Sequence, residues 1–177
     1  MTIPNLITIG RLIIVPLVIV MILQERWGLA FALFVIAGVS DGIDGFIARR
    51  FDMRSELGSY IDPLADKALL VSIYVTLSII GVLPGWLAIV VVSRDVMILA
   101  AVVLSWLMAR PLQIRPLTIS KINTFAQLGF AALVLAASAF RIEIGLLEDV
   151  GMVVVAVLTV ASAGAYMGMW LRHMGDK

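Results

Sequence analysis

Four aspartates between residues 41 and 66 stand at two spacings that chemistry can use. Asp41 and Asp44 are three residues apart, Asp62 and Asp66 four apart. On helices, either spacing puts both side chains of a pair on one face. Two such faces meeting across a turn would crowd the carboxylates into one small volume. At about 4 Å and an effective dielectric near 20, each like-charged pair costs roughly 4 kcal/mol, so protonation or bound cations must relieve the repulsion. Clustered hard oxygens suit Mg²⁺, Mn²⁺ or Ca²⁺ rather than zinc, and bridging carboxylates can hold two such ions.

The neighbours of the acids point the same way. Gly45 follows Asp44 near a helix end and Gly58 opens the next helix. Helices disfavour glycine, so both positions predict a close approach to the backbone. Arg49 adds a planar cationic fork suited to phosphate. Metal-binding carboxylates, open backbone and a phosphate-binding arginine together read as metal-dependent phosphoryl transfer.

The elements that must position these groups are membrane helices. Of 177 residues, 62% are hydrophobic and 14% charged, against a usual charged share of about 25%. Apolar runs over about 5–24, 28–49, 57–80, 84–108, 119–140 and 146–170 predict six transmembrane helices in one all-α domain spanning 1–177. The first run is too long for a signal-peptide core and is expected to be retained. With no Arg- and Ser-rich presequence, a bacterial inner membrane is the expected location. There are no cysteines, which excludes disulfides, zinc-thiolate sites and cysteine nucleophiles, and no basic stripe for nucleic acid. The single histidine, His173, lies in the polar tail and reads as a surface residue.

Basic residues orient the bundle. With both termini cytoplasmic, Arg11, Arg49, Arg50, Arg54, Lys67, Arg110, Arg115, Lys121, Arg172 and Lys177 share that side, whereas Arg26 and Arg141 stand opposite. The acidic site is then expected near the cytoplasmic surface. Asn5, Thr8 and Arg11 recur every three residues on the first helix, reading either as a cap, a neutral hydroxyl and a positive-inside arginine or as a nucleotide-binding face. Arg94 and Asp95 fall within the fourth span, where ionisable side chains pair with one another or face a cavity. Lys121 opens the fifth helix and could face the same cavity. Gly164 and Gly168 form a small-x3-small pattern that close helix packing explains.

The stretch from Asp41 resembles the signature of the CDP-alcohol phosphotransferase family, D-x2-D-G-x2-A-R-x8-G-x3-D-x3-D. It matches without a gap at Asp41, Asp44, Gly45, Ala48, Arg49, Gly58, Asp62 and Asp66. The resemblance implies that Asp41, Asp44, Asp62 and Asp66 hold two divalent cations, Mg²⁺ or Mn²⁺, with Asp66 also the general base. It implies that Gly45, Ala48, Arg49 and Gly58 line a CDP site, and it favours the nucleotide-binding reading of Asn5, Thr8 and Arg11. It also brings a homodimer into consideration, since some relatives form one.

Beyond the signature, Val91–Ile98 and Ser120–Thr124 resemble the eukaryotic-type cardiolipin synthases of that family. That resemblance implies transfer of a phosphatidyl group from CDP-diacylglycerol to phosphatidylglycerol, giving cardiolipin and CMP, with Arg94, Asp95 and Lys121 as candidate acceptor-binding residues. The stretch Ala100–Leu104 lacks the further arginine usual in phosphatidylglycerophosphate synthases, and Asp95 stands where they usually carry Glu. Two other readings remain: a phosphatidylglycerophosphate synthase taking glycerol 3-phosphate, and a cation transporter using the acids as its ion site. The transporter would favour a midplane site between related repeats, and the sequence has no evident repeat.

Overall fold

The computed structural model describes residues 3–51, 56–108 and 117–175, and the side chains of 10–40, 67–105, 107–108 and 117–175. Six helices account for nearly all of it: α1 (Ile3–Leu23), α2 (Trp27–Phe51), α3 (Glu56–Ile79), α4 (Gly85–Leu107), α5 (Thr118–Phe140) and α6 (Gly145–Gly175). Such apolar sequences fold as helices because a helix satisfies its backbone polar groups internally, which an apolar surrounding demands. Among the described residues, Gly85–Ser105, Thr118–Phe140 and Gly145–Gly175 are long and apolar enough to cross a membrane. Shorter apolar stretches run over Gly10–Leu23, Trp27–Ser40 and Lys67–Ile79.

Left-handed caps end three of the helices and reverse the chain. Glu25 takes φ 56° after α1, Gly81 φ 79° after α3 and Arg141 φ 55° after α5. The N–H groups that follow return to carbonyls of the preceding turn: Arg26 to Met21 at 2.8 Å, Val82 to Leu77 at 2.9 Å and Ile142 to Ala137 at 2.9 Å. These bonds occupy carbonyls that a helix end otherwise leaves orphaned. Glycine suits this conformation at Gly81, whereas Glu25 and Arg141 adopt it despite their side chains. The turns set neighbouring helices antiparallel. Arg26 and Arg141, the two basic residues expected on one side by their sequence positions, lie in turns at the same end. The C-terminal parts of α2 and α4 and the N-terminal parts of α3 and α5 share the other end, called here the motif end.

The helices pack α1 on α2 and α3, α3 on α4 and α5, α2 on α5, and α6 on α4 and α5. Val18, Ile22, Ala30, Ala37, Ile73, Tyr74, Leu77, Leu87, Val91 and Leu135 form the buried centre. Outside it, Ile79, Ile89, Phe125 and Leu146 expose large apolar side chains. A surface of that kind fits contact with hydrocarbon better than contact with water.

The expectation that Gly164 and Gly168 mark a tight helix contact is corrected by the structure. A Cβ built at either position meets nothing within 4 Å among the described residues, and Gly164 is exposed. The close approach is at Gly151 of α6 instead, where a Cβ would lie 2.4 Å from Cδ2 of Phe130 on α5. Spacing alone does not tell which glycine meets a neighbouring ring. Gly151→Val is expected to overpack this contact and destabilise the bundle by roughly 1 to 3 kcal/mol, read as a lower melting midpoint in detergent. Gly164→Val leaves the midpoint nearly unchanged by the same measurement.

Candidate functional site

The signature residues fall on two helices at the motif end. Asp41 and Asp44 belong to α2, Asp62 and Asp66 to α3, so each pair keeps the helical spacing its chemistry needs. Counting helical rise, Asp44 sits about 10 Å before the end of α2 and Asp62 about 9 Å after the start of α3. Both helices pack against α1. The side chains of Asn5, Thr8, Asp41, Asp44, Ala48, Arg49, Asp62 and Asp66 lie outside the described side chains, and Gly45 and Gly58 are described only as backbone within α2 and α3.

Arg11 is described, and it is buried to 1% exposure in α1, the helix shared by α2 and α3. That burial sets it apart from an arginine reaching for lipid headgroups. A guanidinium removed from solvent needs counter-charge and hydrogen bonds around it. Arg11 thus supplies a fixed positive charge in the helix against which both acid-bearing helices pack.

A second charged cluster joins α3 to α4. Lys67 Nζ donates to Asp95 Oδ1 at 2.5 Å, and Arg94 Nη1 donates to the same oxygen at 2.5 Å. Arg94 is used up by further partners. Its Nη2 donates to Ser120 Oγ of α5 and, at 3.0 Å, to Ser162 Oγ of α6, which Nε also reaches at 3.3 Å. The guanidinium carbon lies 5.7 Å from the centre of the Tyr166 ring, within cation–π range. Three helices, α4, α5 and α6, therefore meet at this arginine, whose planar fork lets one side chain serve them all, and α3 joins the cluster through Lys67 and Asp95.

The cluster grades from closed to open. The Arg94 side chain is 3% exposed, Asp95 15% and Lys67 38%. Arg94 and Asp95, taken from the sequence as acceptor-facing candidates, come together as a pair whose accessible positive end is Lys67. Lys121, the third candidate, is exposed on α5, one residue after the Ser120 that bonds Arg94. Sequence reasoning counted Lys67 only toward orientation. Its position immediately after Asp66 was the available signal, but the partner Asp95 is remote in the chain.

A neutral polar seam continues from this cluster between α5 and α6. Gln127 Nε2 donates to Thr159 Oγ1 at 3.1 Å, and Thr159 donates to Asn123 Oδ1 at 2.9 Å. Tyr74 of α3 donates to the Gln127 carbonyl at 2.9 Å. All four residues are buried, so these bonds hold helices together where no water competes. Nearer the motif end, Trp170 Nε1 donates to Ser105 Oγ at 3.0 Å, tying α6 to α4.

Comparison with known proteins follows the motif and the helix count. A family model described as CDP-alcohol phosphatidyltransferase matches residues 1–164. A human protein named cardiolipin synthase (CMP-forming) is 35% identical over 99% of this chain and 62% of its own length. A Schizosaccharomyces pombe cardiolipin synthase (CMP-forming) / mitochondrial hydrolase fusion protein is 31% identical over 93% of this chain and 30% of its own length. A chloroplastic rice CDP-diacylglycerol–glycerol-3-phosphate 3-phosphatidyltransferase is 34% identical over 92% of this chain and 53% of its own. The chain thus spans less than two thirds of the length of these relatives.

Proposed function

The chain belongs to the CDP-alcohol phosphatidyltransferase family, and on that premise we propose that it transfers a phosphatidyl group from CDP-diacylglycerol to phosphatidylglycerol, yielding cardiolipin and CMP. The observation that carries the reading is the gapless acidic signature on α2 and α3, two helices packed against α1, which carries the buried Arg11. The names borne by the human and S. pombe relatives support phosphatidylglycerol as acceptor, and the name of the rice relative supports glycerol 3-phosphate as the rival. Residues 1–177 form one membrane domain in this reading, with six spans and both termini in the cytoplasm. The positive-inside distribution supports the orientation, and a bacterial inner membrane is the location that goes with it.

The donor set fits divalent cations: four carboxylates in two helical pairs, with hard oxygens only. Asp41, Asp44, Asp62 and Asp66 would hold two Mg²⁺ or Mn²⁺ ions, which supply neutralisation of the diphosphate. Asn5, Thr8, Arg11, Gly45, Ala48, Arg49 and Gly58 bind and orient the CDP portion. A hydroxyl of phosphatidylglycerol attacks the phosphorus that carries diacylglycerol. Its proton passes to Asp66, and the bond from that phosphorus to the CMP oxygen breaks. A site at the motif end, close to the cytoplasm, lets CMP leave into water while both lipids keep their tails in the bilayer.

The test uses the full chain in detergent with CDP-diacylglycerol and Mg²⁺ or Mn²⁺. Phosphatidylglycerol or glycerol 3-phosphate is added, and CMP and lipid products are analysed. Cardiolipin formed only with phosphatidylglycerol is the expected result. Phosphatidylglycerophosphate formed only with glycerol 3-phosphate would keep the family and replace the acceptor.

A further inference from the structure

We propose that a recess at the end of the bundle opposite the acidic signature binds a phosphoethanolamine group, with Arg141 on its phosphate and Glu143 and Glu148 on its ammonium. The transfer reaction proposed above makes no use of this place. The recess lies between the turn after α3 and the turn after α5 and measures about 510 Å³, a size that small ligands fill. Val82, Ala137 and Ile142 give it apolar walls, and Arg141, Glu143 and Glu148 line it as well. Arg141 caps α5, Glu143 follows in the connection and Glu148 stands in the first turn of α6. Both signs of charge thus border one hollow. Among the described residues, none of the three side chains makes a hydrogen bond or an ion pair.

The backbone adds a second observation. Arg141 holds φ 55°, a conformation natural to glycine and costly for a residue with a side chain. Its N–H closes the cap on the Ala137 carbonyl, a bond glycine would make equally well. The cap bond therefore gives no reason for an arginine, whereas a guanidinium at the rim of the recess does: it pairs well with phosphate oxygens. The two glutamates specify the other half of the ligand. A primary ammonium has three N–H donors to share between two carboxylates, and a trimethylammonium has none. One cation against two anions leaves the site net negative, which disfavours an anionic headgroup without a cation of its own. Charged groups beside apolar walls, at the end of helices that suit a bilayer, fit a lipid headgroup and its glycerol better than a fully polar solute.

The test follows the melting midpoint of the full chain in detergent micelles as phosphatidylethanolamine, phosphatidylcholine or soluble glycerophosphoethanolamine is added. The midpoint is expected to rise by about 5 °C or more at saturating phosphatidylethanolamine, and less with phosphatidylcholine. Arg141→Gly removes the phosphate partner shared by both lipids. It should raise the apparent Kd for each by roughly tenfold or more, while the lipid-free midpoint does not fall, because glycine suits the cap. Glu143→Gln combined with Glu148→Gln leaves the cap untouched and should erase the preference for phosphatidylethanolamine over phosphatidylcholine. A matching rise with glycerophosphoethanolamine places recognition in the polar group alone, and a rise with the lipid only places it in a membrane headgroup. Equal shifts by the two lipids in the unaltered protein overturn the proposal. So does an unchanged Kd in Arg141→Gly, or a preference that survives the double substitution.

Discussion

Asp66→Asn is expected to lower CMP release by at least about a thousandfold while leaving the melting midpoint close to that of the unaltered protein. The amide keeps the size and shape of the carboxyl, and its position in α3 favours a helix as before. What it loses is the anion. The acceptor hydroxyl then has no base to take its proton, and a ligand oxygen of the proposed cation site becomes a neutral amide. General base catalysis is worth roughly a hundred- to ten-thousandfold alone, and a weakened cation site adds to it. The check is single-substrate saturation kinetics beside thermal unfolding of the same preparation. Near-normal turnover by a well-folded variant would remove Asp66 from the mechanism.

Arg94→Met carries the largest expected effect on stability. Breaking one partner out of a buried ionic cluster costs roughly 3 to 5 kcal/mol, and a chain of this size should lose on the order of 10 °C in melting midpoint. The structure gives the reason. Asp95 keeps Lys67 but loses the donor at 2.5 Å, while Ser120 and Ser162 lose the group that joins α5 and α6 to α4. Methionine restores the volume without the hydrogen bonds. The loss should be far larger than for Lys121→Met, whose side chain is exposed. Equal midpoints for the two variants would mean that the junction contributes little to folding.

Much of this architecture is legible in the sequence because apolar composition leaves a chain few choices. Each of the six apolar runs became a helix, three of them long and apolar enough among the described residues to cross a membrane, and Gly81 ended α3 where a left-handed residue was needed. The acidic spacings were legible for a related reason: helical periodicity turns sequence separation into a shared face. Contacts between helices were not. Asp95 could be paired with its neighbour Arg94 by inspection, but the bond from Lys67 crosses from α3 to α4. Whether Arg94 faces a cavity or closes on serines depends on Ser120 and Ser162, residues whose type says nothing of their partners. Gly151 differs from Gly164 only by having Phe130 opposite it, which no spacing records.

The α5–α6 seam has a consequence for how the bundle can move. Apolar helices surrounded by lipid tails slide past one another cheaply, because one aliphatic contact replaces another. Asn123, Gln127 and Thr159 make such sliding costly: a shift of one turn, about 5.4 Å, would part every donor from its acceptor where no water can substitute. Phe130 seated over Gly151 blocks the same displacement sterically. These two helices therefore act as a doweled plank. Whatever breathing would admit the proposed lipid substrates to the motif end has to come from the joints around that plank, not from slippage within it.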